Sequence, residues 1–200
     1  MLNSLNQYTQ ITNGGLRNLS YDWDGNLTND SKLAYSWDAE NRLTKVEPVS
    51  PSNGSKRVEF AYDYMSRRYS KKVYSYSTTN NYQLTTETKF LWDGWAMVSE
   101  VRSQSSEVRT NYYVYGLDLS GSIQGAGTIG GLLSAQLINP STSNLTTTFY
   151  CYDGNGNVCQ LIGTNGAIVA LYAYDPFGDT LTQTGTLASE NLSLRKTPSA

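Results

Sequence analysis

The sequence predicts an all-β protein, and three observations support this prediction. The chain has 16 tyrosines, four tryptophans and four phenylalanines, whereas charged residues make up only 16% of it. A helical protein would be richer in Ala, Leu, Glu and Lys. Apolar and polar residues alternate with a period of two in KRVEFAYDY at 56–64 and ALYAYD at 170–175, which is typical of strands. Short sequences that favour tight turns recur between such segments.

The recurring sequence consists of an aromatic residue, Asp, two variable residues, a small turn-forming residue (Gly, Asn or Ser), a polar residue and usually an apolar one. The copies are YDWDGNL at 21–27, WDAENRL at 37–43, YDYMSRR at 62–68, YDGNGNV at 152–158 and YDPFGDT at 174–180. WDGWAMV at 92–98 and YGLDLSG at 115–121 are degenerate copies. The spacing between copies is irregular, so the units are separated by loops of different length.

Each copy predicts a β-hairpin turn. The aromatic residue ends the incoming strand, the Asp side chain accepts backbone N–H groups of the turn, and Gly or Asn supplies the positive φ that reverses the chain. In the last copy Pro176 would fix φ at the second turn position. The predicted turn residues are Tyr21, Asp22, Gly25, Trp37, Asp38, Tyr62, Asp63, Trp92, Asp93, Tyr152, Asp153, Gly156, Tyr174, Asp175, Pro176 and Gly178.

Strands are expected on both sides of each turn. LAYSW at 33–37 and TTFYCY at 147–152 lead into turns, and RLTKVE at 42–47 and NVCQLI at 157–162 lead out of them. The longest apolar run, AIVALYAY at 167–174, also predicts a strand and is too short for a membrane span. We expect irregular structure between Gly116 and Pro140, and no helix of any length.

These turns resemble the YD repeats of the Rhs (rearrangement hot spot) family. YYVYGLDLSGSIQGAGTIGGLLSAQ at 112–136, followed by YCYDGNGNVCQLIGTNGAIVALYAYDPFGDTL at 150–181, is similar to the family's Rhs repeat-associated core. WDAENRLTKVE and FAYDYMSRRYSKKVY also fit the family pattern, and the resemblance covers roughly residues 5 to 190.

The resemblance implies an arc of a β-sheet that spirals into a hollow shell, built from antiparallel hairpins. In bacterial toxins of this family the shell encloses a C-terminal toxic domain. We therefore expect YD-type hairpins at 1–110, a core-like segment at 111–185 and a divergent, disordered tail at 186–200. The implied function is non-catalytic: the segment would help to encapsulate and export a toxin in a bacterial secreted or cell-surface protein. Its partners would be the rest of the shell and the cargo.

In many family members the final segment of the core resembles a plug and performs self-cleavage through acidic residues. Here the sequence reads TLASENLSLRKTPSA at 186–200, and the family pattern is lost. We interpret the chain as a fragment that lacks the self-cleavage segment and the cargo. Histidine, the commonest general base and metal ligand, is absent. No catalytic, cofactor-binding or metal-binding residue is predicted, and the chain is not expected to be an enzyme.

Two other patterns suggest chemistry but are better explained by structure. GAGTIG, with Gly125, Gly127 and Gly130, matches the dinucleotide-binding pattern, yet no strand–helix unit surrounds it. The turn aspartates could suggest hydrolysis or a calcium site. Because each occupies the same position in its own repeat, a common role in turns is the better interpretation. Net charge is −2 with scattered basic residues, so a nucleic-acid partner is not expected.

The alternative function is a surface repeat protein that binds glycans through strand tyrosines. Tyr112, Tyr113 and Tyr115, or Tyr74 and Tyr76, could stack on sugar rings, but cross-strand packing is the plainer interpretation.

Cys151 and Cys159 flank one turn and are expected to face each other across its strands. Two interpretations stay open: the residues form a disulfide in an oxidising compartment, or, more simply, they are two small semi-buried residues.

Overall fold

The structure, a computed structural model, describes residues 2–12, 15–138 and 145–188. It confirms the all-β prediction. The strands are β1 (Gln10–Ile11), β2 (Arg17–Asn18), β3 (Ser20–Tyr21), β4 (Leu27–Asn29), β5 (Leu33–Trp37), β6 (Leu43–Pro48), β7 (Lys56–Tyr62), β8 (Arg68–Ser77), β9 (Asn81–Asp93), β10 (Ala96–Gln104), β11 (Glu107–Tyr115), β12 (Leu132–Ile138), β13 (Leu145–Tyr152), β14 (Val158–Gly163), β15 (Ile168–Tyr174) and β16 (Thr180–Thr184).

The strands follow one another through the sheet in sequence order. β3 to β16 form a 14-stranded sheet in which each strand pairs with its neighbours in the chain, and β1 and β2 form a separate pair. The pairings for which a register is defined are antiparallel. Over the described residues no helix is long and apolar enough to cross a membrane.

The chain divides into two compact units. Unit 1 comprises Met1–Phe90 and Arg102–Val108, and unit 2 comprises Leu91–Val101 and Arg109–Ala200. In unit 1 the strands are joined by basic side chains that lie over aromatic rings. The Arg57 guanidinium lies 4.3 Å from the ring of Tyr74 and 4.5 Å from the ring of Tyr82. Cation–π contacts of this kind bridge neighbouring strands.

Unit 2 has an apolar core on one face of its strands. Leu161 and Ala135 are fully buried, and Tyr113, Tyr150 and Tyr172 pack in the same cluster. Along β15 the buried residues Ala170 and Tyr172 alternate with exposed neighbours, as expected where only one face of a strand packs.

A β-bulge precedes every one of the five well-matched turns. The register shifts between Ser20 and Tyr21, and equivalently at Ser36/Trp37, Ala61/Tyr62, Cys151/Tyr152 and Ala173/Tyr174. The aromatic residue of each copy is thereby paired with the residue six positions later, for example Tyr62 with Arg68. Bulges increase twist and redirect a side chain, so each copy contains a built-in bend.

The prediction of irregular structure from Gly116 to Pro140 is wrong in part, because Leu132–Ile138 forms β12 between β11 and β13. The sequence did not predict this strand, because LLSAQLI is short and directly follows glycines. Its alternate residues Ala135 and Leu137 are buried in the unit 2 core, and this packing stabilises it. Residues 139–140, at the end of the predicted loop, lie outside the described residues.

The expectation that the two cysteines face each other is also wrong. Cys151 pairs with Gln160, because the bulge at Tyr152 shifts the register by one residue. Both cysteines are free thiols, and the Cys159 Sγ lies 3.3 Å from the carbonyl oxygen of Cys151.

Of the predicted tail, residues 189–200 lie outside the described part. Among the tail residues that the structure does describe, 186–188, the Leu187 N–H donates to the Val169 carbonyl at 3.0 Å.

Candidate functional site: the aspartate turns

The aspartate turns share one backbone geometry. In each, the Asp N–H donates to the carbonyl oxygen of the fourth residue along, as from Asp63 to Arg67 at 2.9 Å. The third residue along donates back to the Asp carbonyl, as from Ser66 to Asp63 at 3.0 Å. The same pair of bonds occurs at Asp22, Asp38, Asp153 and Asp175. Within each unit these turns lie at the same ends of the strands, because each joins an odd-numbered strand to the next even-numbered one. We call this row of strand ends the turn edge, as distinct from the edge strands of the sheet.

One carboxylate oxygen of each Asp binds the backbone of its own turn. Asp63 Oδ1 accepts the N–H groups of Met65 at 2.9 Å and Arg67 at 3.0 Å. Asp153 Oδ1 accepts those of Asn155 and Asn157, both at 2.9 Å. Asp22, Asp38 and Asp175 make the same two bonds. This oxygen is therefore committed to the turn, which explains why Asp recurs at this position.

The second carboxylate oxygen binds the side chain of the fourth residue along. Asn26 Nδ2 donates to Asp22 Oδ2 at 3.1 Å, and Arg42 Nε donates to Asp38 Oδ2 at 2.8 Å. Arg67 and Asn157 serve Asp63 and Asp153 in the same way. The sequence pattern showed only a polar residue here, and the structure shows that in these four turns it is a donor. The last turn differs, because its fourth residue, Asp179, has a carboxylate and cannot donate when ionised.

These bonds alter the acidity of the turn carboxyls. Burial alone would raise the pKa of Asp22, Asp38 and Asp63, but the hydrogen bonds from the turn, those of the fourth residue foremost, together outweigh it and lower the pKa. At Asp153 the side chain of Asn157 is the largest cause, and the pKa is again lowered. A carboxyl whose pKa is lowered stays ionised at neutral pH and is not poised as a general acid.

The reversal of each turn is made by a residue with positive φ. This residue is Gly25 (86°), Asn41 (58°), Ser66 (61°), Gly156 (81°) or Gly178 (89°). A side chain is tolerated at Asn41 and Ser66, since polar residues can adopt this region. At Gly156 a Cβ would lie 2.7 Å from Cδ1 of Leu119, so a side chain there would require Leu119 to move.

The aromatic residue before each Asp connects one repeat to the preceding one. Trp37 Nε1 donates to the Leu27 carbonyl at 2.8 Å, and Tyr62 Oη donates to the Leu43 carbonyl at 2.8 Å. Tyr174 Oη donates to the Val158 carbonyl at 3.0 Å. In each case the acceptor is the residue six positions after the preceding copy's aromatic. Sequence reasoning missed this role, which requires an aromatic ring with a polar hydrogen.

Neighbouring turns in unit 1 are also joined by side chains. Asn26 Nδ2 donates to Asn41 Oδ1 at 2.7 Å, which links the first turn to the second. Arg42 Nη1 donates to the Asp63 carbonyl at 3.1 Å, which links the second to the third. The donor at the fourth position therefore satisfies its own Asp and reaches the next turn.

The degenerate copy at 92–98 is completed by a side chain from a distant loop. Gln124 Oε1 accepts the N–H of Trp95 at 2.7 Å, and its Nε2 donates to the Asp93 carbonyl at 2.9 Å. Gly94 (φ 54°) leaves room for this amide, since a Cβ there would overlap Gln124 Oε1. Gln124 was not anticipated, because nothing in the local sequence relates it to residues 29 and 31 positions earlier.

The GAGTIG sequence surrounds an internal carboxylate. Asp118, which is 6% exposed, accepts the N–H groups of Ala126 at 2.7 Å and Thr128 at 3.2 Å through Oδ2. Its Oδ1 accepts from the N–H and Oγ of Ser120 at 3.0 and 2.6 Å. The donors that a dinucleotide motif would direct to a phosphate are thus bound to Asp118. A strand, β12, and not a helix follows Gly125, Gly127 and Gly130. The sequence therefore matches the dinucleotide-binding pattern without forming the strand–turn–helix structure that binds a dinucleotide.

The tyrosines of β11 do not form one surface. Tyr113 is buried in the unit 2 core, and Tyr115 packs against that core, whereas Tyr112 points to the other face and is half exposed. In unit 1, Tyr76 pairs with Tyr82 across the strands with ring centroids 5.2 Å apart, and Tyr74 Oη donates to Glu59. The three-tyrosine sugar surface on β11 therefore does not form. No group of three His, Cys, Asp or Glu within the described ranges is arranged to hold a metal ion.

The chain is similar in sequence to bacterial nucleases. It is 28% identical over 177 residues to the tRNA3(Ser)-specific nuclease WapA of Bacillus spizizenii, and 27% identical over 177 residues to the tRNA nuclease WapA of Bacillus subtilis. Each alignment covers 88% of this chain but only 6% of the relative. No family model matches the chain.

The fold is similar to that of solved toxin structures. TcdB2-TccC3-TEV aligns with a TM-score of 0.55 and 15% identity, over 88% of this chain and 9% of that one. The Photorhabdus luminescens Tc holotoxin pore aligns with a TM-score of 0.54 and 13% identity, over 88% and 10%. The repeated aspartate turn, the sequential sheet and these relatives together support the resemblance of the chain to the Rhs/YD-repeat family.

Proposed function

We propose that the chain is a non-catalytic wall segment of an Rhs/YD-repeat shell, which encapsulates a toxin and helps to export it from a bacterium. In that role the whole protein is secreted or displayed at the cell surface. The proposal is supported most by one observation: the Oδ1 atoms of Asp22, Asp38, Asp63, Asp153 and Asp175 accept hydrogen bonds from their own turns. The repeated carboxylates, which resemble catalytic acids in the sequence, hold turns.

The relatives support the same function. Two of the sequence relatives are named as tRNA nucleases, and the chain corresponds to only 6% of their length. A segment this small and this regular fits a scaffold better than a nuclease centre. The partners in this proposal are the remaining wall of the shell and the toxin inside it.

A chimera tests the proposal. The 177-residue segment of Bacillus subtilis WapA that aligns with this chain is replaced by the corresponding part of the chain. If the chain is a wall segment, the chimera is exported and cleaves tRNA, and in parallel digestions its interior is no more sensitive to added protease than that of the parent. A chimera that folds and is exported but exposes its interior to protease would contradict the proposal.

The non-catalytic part is tested separately in the same chimera. Asp153→Ala and Asp175→Ala, alone and together, remove the turn acceptors and should lower the melting temperature but leave the rate of tRNA cleavage by the folded protein unchanged. Tyr64→Phe, at an exposed turn position, is the matched control for stability. Loss of cleavage without loss of folding would assign the turns a catalytic role.

A further inference from the structure

The turn edge of unit 2 carries large apolar side chains at its tips. Phe177 is 93% exposed, and Trp95, Leu119, Ile123 and Ile129 are each more than half exposed. These residues belong to the turn after β9, the loop after β11 and the turn after β15, which all lie on one edge. The described turn on the opposite edge, at 163–167, presents only Thr, Asn, Gly and Ala. Unit 2 also exposes apolar side chains along its strands, such as Leu133, Phe149 and Leu171, but among its described turns only those of this edge present them at the tips. Exposed apolar side chains at turn tips are typical of an interaction surface.

Hydrogen bonds hold this edge in place. Asp118 fixes the loop at 116–131 by its bonds to Ser120, Ala126 and Thr128, and Gln124 joins the loop to the turn that carries Trp95. Because the loop is held from within, little conformational entropy is lost when a partner binds to its apolar side chains.

The charge of the same unit indicates the chemistry of the partner. Within residues 91–101 and 109–188 the only basic residue is Arg109, whereas the acidic residues are Asp93, Glu100, Asp118, Asp153, Asp175 and Asp179. The rest of the unit's sequence, which lies outside the described residues, adds Glu190, Arg195 and Lys196. Glu100 and Asp118 are buried, and the other four described acids lie in the turns of the apolar edge or, as Asp93 does, at the end of the strand that leads into one. Asp179 is two residues from Phe177, in a turn whose fourth position elsewhere carries a donor. A partner with basic groups gains attraction from these carboxylates and cation–π contact with the exposed rings.

We infer that the turn edge of unit 2 is a docking surface for a basic polypeptide segment in which Lys or Arg alternates with apolar residues. The apolar side chains pack against Phe177 and the loop, and the basic groups face the carboxylates. This inference goes beyond the proposed shell function, since it concerns a surface of this chain whether or not a toxin is enclosed.

Fluorescence anisotropy with the full 200-residue chain tests the inference. The probe is a labelled peptide of alternating Lys and Leu, and the comparison probe replaces every Lys by Glu. The Lys peptide should bind and the Glu peptide should not. Phe177→Ser should weaken binding of the Lys peptide about tenfold, as loss of an exposed anchor does. Asp179→Asn should weaken it about threefold, and added salt should reduce that difference.

The matched controls lie in unit 1, where an exposed aromatic residue and an exposed acid occur on turns of the same kind. Tyr64 is 89% exposed, and Tyr64→Ser and Asp24→Asn should leave the affinity for the Lys peptide unchanged. Equal binding of both peptides would overturn the inference, as would equal effects of all four variants. Binding to phosphatidylcholine vesicles with no binding of the Lys peptide would identify a lipid surface instead and would also overturn it.

Discussion

At the scale of single residues, a turn in this chain is defined by one carboxylate and one residue of positive φ. The carboxylate of Asp63 accepts two backbone N–H groups and one side-chain N–H, so all three donors depend on a single ionised group. The same arrangement at Asp22, Asp38 and Asp153 makes the protein's stability sensitive to the ionisation of these carboxyls.

This arrangement predicts that acid destabilises the protein. The pKa of each of these four carboxyls is lower in the folded chain than its usual value of 3.8. The unfolded chain therefore binds more protons as the pH falls, and stability that is fully present above about pH 5 declines below pH 3.8. Urea denaturation between pH 3 and 7 should show a lower midpoint only in the acid range. In Asp153→Asn the decline should be smaller than in the wild type, and an unchanged decline would contradict this origin.

Two glycines of one turn provide a matched pair of substitutions. Gly156→Ala should destabilise by about 1 kcal/mol or more, because φ is +81° and the new Cβ would meet Leu119. Gly154→Ala should be nearly neutral, since no atom lies within 4 Å of its Cβ position and its φ is not positive. Thermal melting of the two variants measures the difference. Equal melting temperatures would show that this turn adapts to a side chain.

At the scale of elements, the hairpins are joined by the aromatic residue that begins each motif. A bulge at this residue pairs it with the sixth residue along, and its polar hydrogen reaches the carbonyl of the preceding hairpin. Burial raises the pKa of Tyr62 and Tyr152, so both phenols remain protonated donors at neutral pH. Tyr and Trp both supply the donor at this position, whereas Phe would lack it.

Tyr62→Phe should accordingly destabilise the chain by about 1 kcal/mol, the usual net contribution of one hydrogen bond. The ring and its packing are retained, so the effect reports the bond to the Leu43 carbonyl. Tyr64→Phe is the control, since this neighbouring tyrosine is almost fully exposed. Denaturant titration of both variants measures the difference, and equal midpoints would mean that the bond between hairpins contributes nothing.

At the scale of the whole molecule, the sheet of the described residues ends in strands with one neighbour each. β16 ends the strand order, and each of its five residues is exposed. Its sequence, TLTQT, contains no charge or proline, the features that usually protect an edge strand from pairing with another chain.

The isolated chain should therefore self-associate through β16. Thr182→Lys, which places a charge in the middle of this edge, should reduce association, whereas Thr164→Lys in an exposed turn should not. Light scattering over a range of protein concentrations measures the effect. A monodisperse monomer of the unmodified chain at all concentrations would contradict the prediction.

The sequence by itself determined the fold class and the positions of the aspartate turns, because both depend on local chemistry. Alternation with a period of two indicates strands, and the motif carries its own acceptor and its own residue of positive φ. Only the tertiary structure decided what depends on register and distance. The bulge shifted Cys151 opposite Gln160, packing in the unit 2 core made a strand of Leu132–Ile138, and the tyrosines of β11 were divided between two faces. The bond from Gln124 to Trp95, across 29 residues, has no local signal at all.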